Sequence, residues 1–444
     1  MTLKEQFREL NMGSARLRRN RCSALVNKYI EHISARRFLG TLITAKAAGA
    51  IRTQLKLLLA VCILVSGFSA RPAGADEYDT LNFVLGGTVA SDSNLFRRPD
   101  SLGPQSDILS TGYVGLRVDK PYAQQRFQLS ATETTARYEK FSYLNFDATS
   151  YRGAWLWHLT PRVSGTVSAE RTEALAPFDE TLGAQRNVRT SDNRIFNLDA
   201  LIFGGWHMLL GASWSKQASE QAFQFQPDFR SVRKELGIRY VARSGSSVTA
   251  TGRSTDGDYL HSVFDPANSG IDGFREDEIE FGANWLSSGN STVSGRLAWV
   301  KRRHDNFTQR DFSGLAGDLG YVWTPTGKLS FAFSAGQNIR PFQDLFSNYV
   351  VERALSFTPT WRIGERTAVR MRLEQVQSDF RGGTVARPGG TRSDTARTAL
   401  IGADWLPLRS VTLGATLRHQ RRSSNELLAN YDATIASVSV SLMF

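Results

Sequence analysis

Downstream of residue 75 the groups able to do chemistry are five histidines, no cysteine and a scatter of arginines and carboxylates. His158, His207, His261, His304 and His419 form no HExxH and no pair at metal-ligand spacing. Cys22 and Cys62 both precede residue 76, so the rest of the chain can build neither a disulfide nor a thiolate metal site. No GxSxG elbow is present. A triad needs no sequence adjacency, so a barrel enzyme acting on polysaccharide or lipid stays as one alternative. Glu278 and Glu280 have the look of paired acids flanking a glycosidic bond. On a strand, however, residues two apart share a face, which equally suits a charged wall. The reading is a chain without cofactor, without metal and without catalytic residues.

The elements that must carry these side chains are strands. Period-two alternation recurs about every twenty residues after Asp76, and helical periodicity is not sustained. Val293, Gly295, Leu297 and Trp299 alternate with Thr292, Ser294, Arg296 and Ala298; Leu329, Phe331 and Phe333 alternate with Ser330, Ala332 and Ser334. Val411, Leu413, Ala415 and Leu417 repeat the pattern. One face suits hydrocarbon and the other water. The polar file supplies the lumen-lining candidates Glu278, Glu280, Arg296, Asp318, Arg370, Arg372, Glu374, Asp404 and Arg418. Across the turn at 286–291 the facing partners should sum to about 576, which sets Glu280 opposite Arg296.

Six tryptophans, Trp157, Trp206, Trp285, Trp323, Trp361 and Trp405, each end a strand before a short connection, as an aromatic girdle at one membrane interface would. Short turns are expected near 119–124, 158–162, 207–208, 243–247, 286–291, 324–328, 362–366 and 406–410, the first built on Asp119, Lys120 and Pro121. Nine longer polar segments fall between them, near 93–106, 139–145, 173–192, 217–230, 255–275, 303–311, 338–349, 378–393 and 420–430. Seventeen connections imply a transmembrane antiparallel β-barrel of about eighteen strands, with short periplasmic turns, longer extracellular loops and both termini periplasmic. Counting back from Phe444, the file Leu442, Val440, Val438 and Ala436 is apolar while Ser441, Ser439 and Ser437 oppose it. A final strand ending in Phe444 is similar to the signal that outer-membrane barrels present to their assembly machinery.

Charge divides along the chain. Residues 1–75 hold 13 Lys/Arg against 3 Asp/Glu, leaving 41 against 39 in the remaining 369, so the formal +12 belongs to the leader and does not argue for nucleic acid. Arg52 and Lys56 precede an apolar run from Leu57 to Val65 and a small-residue stretch ending at Ala75, the layout of a signal peptide cleaved there. The expected organisation is a basic extension over 1–50, a signal peptide over 51–75 and one outer-membrane barrel over 76–444, in a Gram-negative cell.

DSNLFRRPD at 92–100, DKPYAQQRFQL at 119–129 and FSYLNFDATSYRGAWLWHLTPRVSG at 141–165 resemble the EpsL-type outer-membrane proteins of exopolysaccharide clusters associated with exosortase and PEP-CTERM systems. The resemblance covers most of 76–444 and is tightest in its first third. It implies a barrel serving synthesis or export of an extracellular polysaccharide, with the polymer, outer-membrane lipid, the barrel assembly machinery and a periplasmic export component as partners. A general or solute-specific porin is the alternative. On the export reading, a long loop folds inward to narrow the pore, 173–192 and 255–275 being the candidates. Asn94, Phe96, Phe178, Tyr259 and Phe264 are then the loop residues able to touch saccharide.

Overall fold

The computed structural model describes residues 80–444 apart from 182, 222–227, 261–272, 306–307, 343–345 and 384–389. The leader with its two cysteines, His261 and Phe264 lie outside the described residues. Eighteen strands follow in order: β1 (Leu81–Asp92), β2 (Asp107–Tyr122), β3 (Gln125–Tyr138), β4 (Phe146–Thr160), β5 (Val163–Leu175), β6 (Val188–Phe203), β7 (Trp206–Ser219), β8 (Phe229–Val241) and β9 (Ser247–Tyr259). The second half comprises β10 (Gly273–Ser288), β11 (Ser291–His304), β12 (Phe312–Thr326), β13 (Leu329–Pro341), β14 (Ser347–Arg362), β15 (Thr367–Gly382), β16 (Ser393–Leu408), β17 (Val411–Ser424) and β18 (Tyr431–Met443). One short helix, α1 (Phe178–Thr181), sits in the β5–β6 connection.

Every strand pairs antiparallel with its neighbours in sequence, and β1 pairs with β18 from Val84 opposite Met443 to Asp92 opposite Ile435. The sheet is therefore a closed barrel. Phe444 completes the seam: its carbonyl accepts from the Phe83 N–H (2.6 Å), its N–H donates to the Phe83 carbonyl (3.0 Å), and the two rings stack at 6.3 Å.

The pairing registers fix two faces. Ile279, Phe281, Leu297, Leu319, Leu355, Ile401 and Leu417 share one face and are exposed, as a lipid-facing belt must be. All six girdle tryptophans lie on it at the short-turn end. Trp157 alone is sunk against the wall, 6% exposed, stacked on Phe196 and lying over Gly165, where any Cβ would collide with its ring.

Two turns fall elsewhere than the sequence suggested. The β6–β7 turn is Gly204-Gly205, both at positive φ (51° and 89°), so Trp206 opens β7 instead of ending a strand. A two-residue turn of this hand wants positive φ at both central residues, which glycine supplies without strain. Asp119, Lys120 and Pro121 belong to β2; the turn is 123–124, with Ala123 at φ 52°. Asp119 instead pairs across the strand with Arg126 (2.7 Å).

Of the nine long connections, 93–106 and 139–145 fall where the sequence put them, while at the other seven the strands run further in than apolar alternation indicated; the β5–β6 connection, for example, is 176–187. Above the lipid both faces of a strand are polar, so hydrogen-bonded ladder there reads in the sequence as loop.

An arginine on the lipid face should therefore be costly where one on the inner face is not. Ile401→Arg is expected to destabilise the barrel by about 2–4 kcal/mol, and Ala332→Arg, on the inward file of β13, to change stability little. Denaturant titration of each variant folded into lipid vesicles measures both.

Candidate functional site: the barrel lumen

The inward files of the eighteen strands carry fifteen arginines, fourteen carboxylates and no lysine among the described residues. Glu278, Glu280, Arg296, Asp318, Arg370, Arg372, Glu374, Asp404 and Arg418 all lie on this face. The direct partner of Glu280 is Ala298, and that of Arg296 is Gly282, so the β10–β11 register differs by two residues from the expected pairing. A bulge between Leu286 and Ser288 accompanies a turn confined to 289–290. Arg296 still reaches Glu280 along the diagonal, at 3.3 Å.

That contact is one link in a belt running from β8 to β13. Arg253 donates through Nε to Glu235 (2.6 Å) and through Nη1 to Glu280 (2.7 Å) and Glu278 (3.1 Å). Arg296 donates through Nε to Asp318 (2.7 Å) and through Nη2 to Asn338 Oδ1 (3.1 Å). The flat, five-donor guanidinium suits this, because one arginine can hold acids on both flanking strands at once. Shorter groups continue the pattern: Asp199 accepts from His207 Nδ1 (2.6 Å) and is held by Arg239. Arg370 meets Asp404 (3.1 Å) and Arg372 meets Glu374 (2.6 Å).

Solvation divides the belt. Asp318 and Arg370 have side chains 50% and 54% exposed, as residues facing water do, whereas that of Glu278 is 10% exposed. Exposed pairs contribute about 0–1 kcal/mol each; the Arg253 cluster is closer to a buried network, where removing its central cation takes from Glu235 its arginine and leaves Glu278 and Glu280 to Arg296 alone.

From β17 across the seam to β2 the wall changes character. Between Arg418 and Arg117 the lower inward positions are mostly small or hydroxylated, including Thr412, Thr416, Ser437, Ser439, Ser441 and Thr88. Thr416 and Ser437 hydrogen-bond directly at 2.7 Å.

At the extracellular end the lumen is edged by packed aromatic groups. Leu95, Phe96, Tyr138, Leu144 and Phe178 form one buried cluster, with Phe96 edge-on to Phe141 (4.8 Å) and Phe178 (5.0 Å). Asn94 is fully buried: its Nδ2 donates to the carbonyls of Arg98 (2.7 Å) and Asp432 (3.0 Å), and its Oδ1 accepts from the Arg98 N–H (3.0 Å). Its polar atoms fix the turn of the first loop. The backbone carbonyl of Asp179 in α1 accepts from Arg422, an inward residue of β17, at 3.3 Å. The 176–187 connection thus reaches from β5 past five intervening strands over the mouth. Opposite, Tyr259, Phe274 and Phe312 surround Arg302, whose guanidinium lies 4.1 Å over the Phe274 ring and pairs with Glu276 (2.8 Å). Asn94, Phe96, Phe178 and Tyr259 are therefore all buried in packing in this conformation.

The sequence reading passed over Glu235, Arg239, Arg253, Glu276 and Arg302. Their strands obey the same alternation, but the outward file of β9 is Val248, Ala250, Gly252, Ser254 and Asp256, too weakly apolar to mark its partner file as the inner one. Among the described residues no three potential ligands gather into a metal site.

Residues 288–444 match a protein family described as "Putative beta-barrel porin 2". No curated protein matches the chain. Among solved structures, OpdK of Pseudomonas aeruginosa, crystallised with vanillate, aligns at 10% identity over 82% of this chain and 99% of its own, with a TM-score of 0.46. OccK2 (OpdF) of the same organism, in complex with glucuronate, aligns at 10% identity over 82% and 96%, TM-score 0.47. The siderophore receptor PirA of Acinetobacter baumannii aligns at 7% identity over 83% and 81%, TM-score 0.46. The chain is an outer-membrane β-barrel of porin-like build.

Neutralising Arg253 and Arg370 separately tests the division of the belt. Arg253→Met should lower stability by about 1–3 kcal/mol and shift ion selectivity towards cations, since Glu235, Glu278 and Glu280 lose their shared counter-charge. Arg370→Met should shift selectivity in the same direction with little loss of stability. Reversal potentials in planar bilayers under a salt gradient, beside urea titrations, read the two effects independently.

Proposed function

We propose that the barrel is a porin-like conduit through which hydrophilic solutes cross the outer membrane. The observation that carries this reading is the inward wall, polar on strand after strand and almost balanced in sign. Barrels of 16–18 strands leave an aqueous channel, and half-exposed Asp318 and Arg370 are side chains that meet such water. The family match over 288–444 supports a solute channel ahead of polymer export. A wall of mutually paired charges has little net field, so it favours neutral and zwitterionic polar solutes over ions of one sign. The 176–187 connection, packed on Phe96 through Phe178, narrows the extracellular entrance on one side.

Passage of a polysaccharide is the second reading. It is supported by the EpsL-type motifs at 92–100, 119–129 and 141–165 together with the uncharged, hydroxyl-lined sector between β17 and β2, a surface that can exchange hydrogen bonds with sugar hydroxyls.

Reconstitution decides the first reading. Purified barrel should give discrete conductance steps in planar bilayers and admit small sugars in liposome swelling, and a variant shortened across 176–187 should conduct more. A folded barrel that neither conducts nor admits sugars would overturn the proposal. For the second reading, a strain lacking the barrel should accumulate periplasmic polymer; normal secretion removes it.

A further inference from the structure

We infer that the outer wall over β14–β17 binds a phosphate-bearing, multiply acylated lipid of the outer leaflet, with its phosphate between Arg397 and Arg421 and an acyl chain in the groove beneath them. The first observation is one of charge. Arg397 and Arg421 are direct cross-strand partners on the outward face, both exposed. Like charges directly opposite in an antiparallel pair are destabilising. Arg397 donates to Gln375 Oε1 (3.0 Å), a neutral amide, and Arg421 has no hydrogen bond or ion pair among the described residues. Of the nearest outward acids, Asp379 is engaged by Arg353 (3.0 Å), while Asp432, the direct cross-strand partner of Arg421 on β18, lies 3.6 Å from His419 and makes no ion pair with Arg421 among the described residues.

Elsewhere on the outer wall several cations near this level meet an acid. Arg137 meets Asp147 (2.7 Å), Arg230 meets Asp258 (2.9 Å) and Arg275 meets Asp256 (2.7 Å). Arg275 and Arg303 also face each other across β10 and β11, with Arg275 held by Asp256; at β16–β17 neither arginine has an acid within ion-pair distance among the described residues, which leaves both able to take an external anion.

The second observation is a cavity. An open, largely apolar groove of about 700 Å³ runs along the outer wall directly below the two arginines, walled by Phe333, Leu355, Phe357 and Leu373 and floored by the small side chains of Ala335 and Ala399. Arg397 and Arg421 line its upper end. Height supplies a third argument. Arg397 lies eight residues above the girdle residue Trp405 on the same outward file. At a rise of about 3.3 Å per residue and a tilt of roughly 40° that is about 20 Å up a belt of about 25 Å, near its upper edge. Guanidinium groups there meet headgroup phosphates while the groove faces acyl chains; paired arginines bind phosphate oxygens bidentately.

The test uses the full-length barrel in detergent with hexa-acylated, bisphosphorylated lipid A as the probe and phosphatidylethanolamine and inorganic phosphate as comparisons. Native mass spectrometry should show lipid A retained by the wild type, at least tenfold less by Arg397→Gln/Arg421→Gln, and less by Ala399→Trp, which fills the groove and leaves both arginines. Arg421→Glu should abolish retention, because it pairs with Arg397 and repels the phosphate. Resistance of each variant to heat in gel electrophoresis verifies folding. Equal retention by wild type and the double variant overturns the proposal. So does retention unaffected by Ala399→Trp, or wild-type stabilisation by inorganic phosphate that matches that by lipid A.

Discussion

A backbone in hydrocarbon has no water to bond, so each N–H and C=O within the membrane must find a partner in the chain. In this molecule that constraint is met by one ladder of eighteen strands whose last link is the pairing of β1 with β18. Everything else is permitted by that closure. With the backbone satisfied around the ring, side chains are free to divide by parity alone, and the same ladder that keeps leucines on lipid keeps arginines on water. The seam is the point of greatest sequence separation, and Phe444 closes it with two backbone bonds and a ring stack on Phe83.

Charge is used differently on the two faces. Inside, acids and arginines form chains across several strands, as in the run from Glu235 through Arg253, Glu280 and Arg296 to Asp318. Outside, charges begin where the apolar file ends, eight residues above the tryptophan on β14 (Arg353) and on β16 (Arg397) alike. That spacing, also eight residues on β10 (Asp277) and ten on β4 and β7 (Asp147, Lys216), approximates the thickness of the apolar layer. It also explains why strands of up to 16 residues exceed the roughly 9–11 needed to span: their upper turns stand in the headgroups and beyond.

Strand number, both faces and the girdle were legible because each rests on period-two alternation, which survives any uncertainty in register. Register itself was not legible to the last residue. The β10–β11 pairing depends on a bulge and a two-residue turn, and an error of two residues preserves every face, which is how Glu280 and Arg296 meet on the diagonal. Where apolar alternation fades, as on the outer file of β9 with Gly252 and Ser254, the inner partner Arg253 disappears from view although it holds three acids. The mouth was least legible. Asn94, Phe96 and Phe178 are types that suit ligand contact, and only the long-range contacts with Asp432, Phe141 and Tyr138 reveal their packing.

The absence of lysine from the inward files of the described strands bears on how such a lumen works. A lysine in a wet channel is a mobile point charge that a carboxylate neutralises through one or two bonds. An arginine held by two acids keeps its plane fixed, and its remaining N–H groups point in a defined direction. Arg296 is held in this way between Glu280, Asp318 and Asn338. A wall built from such groups presents ordered donors beside ordered acceptors while its net charge stays near zero. Solute hydroxyls and amides then exchange water for wall contacts at little cost, whereas a bare ion gains no deep well in which to lodge. Passage of polar molecules without tight binding follows from pairing the charges, not from removing them.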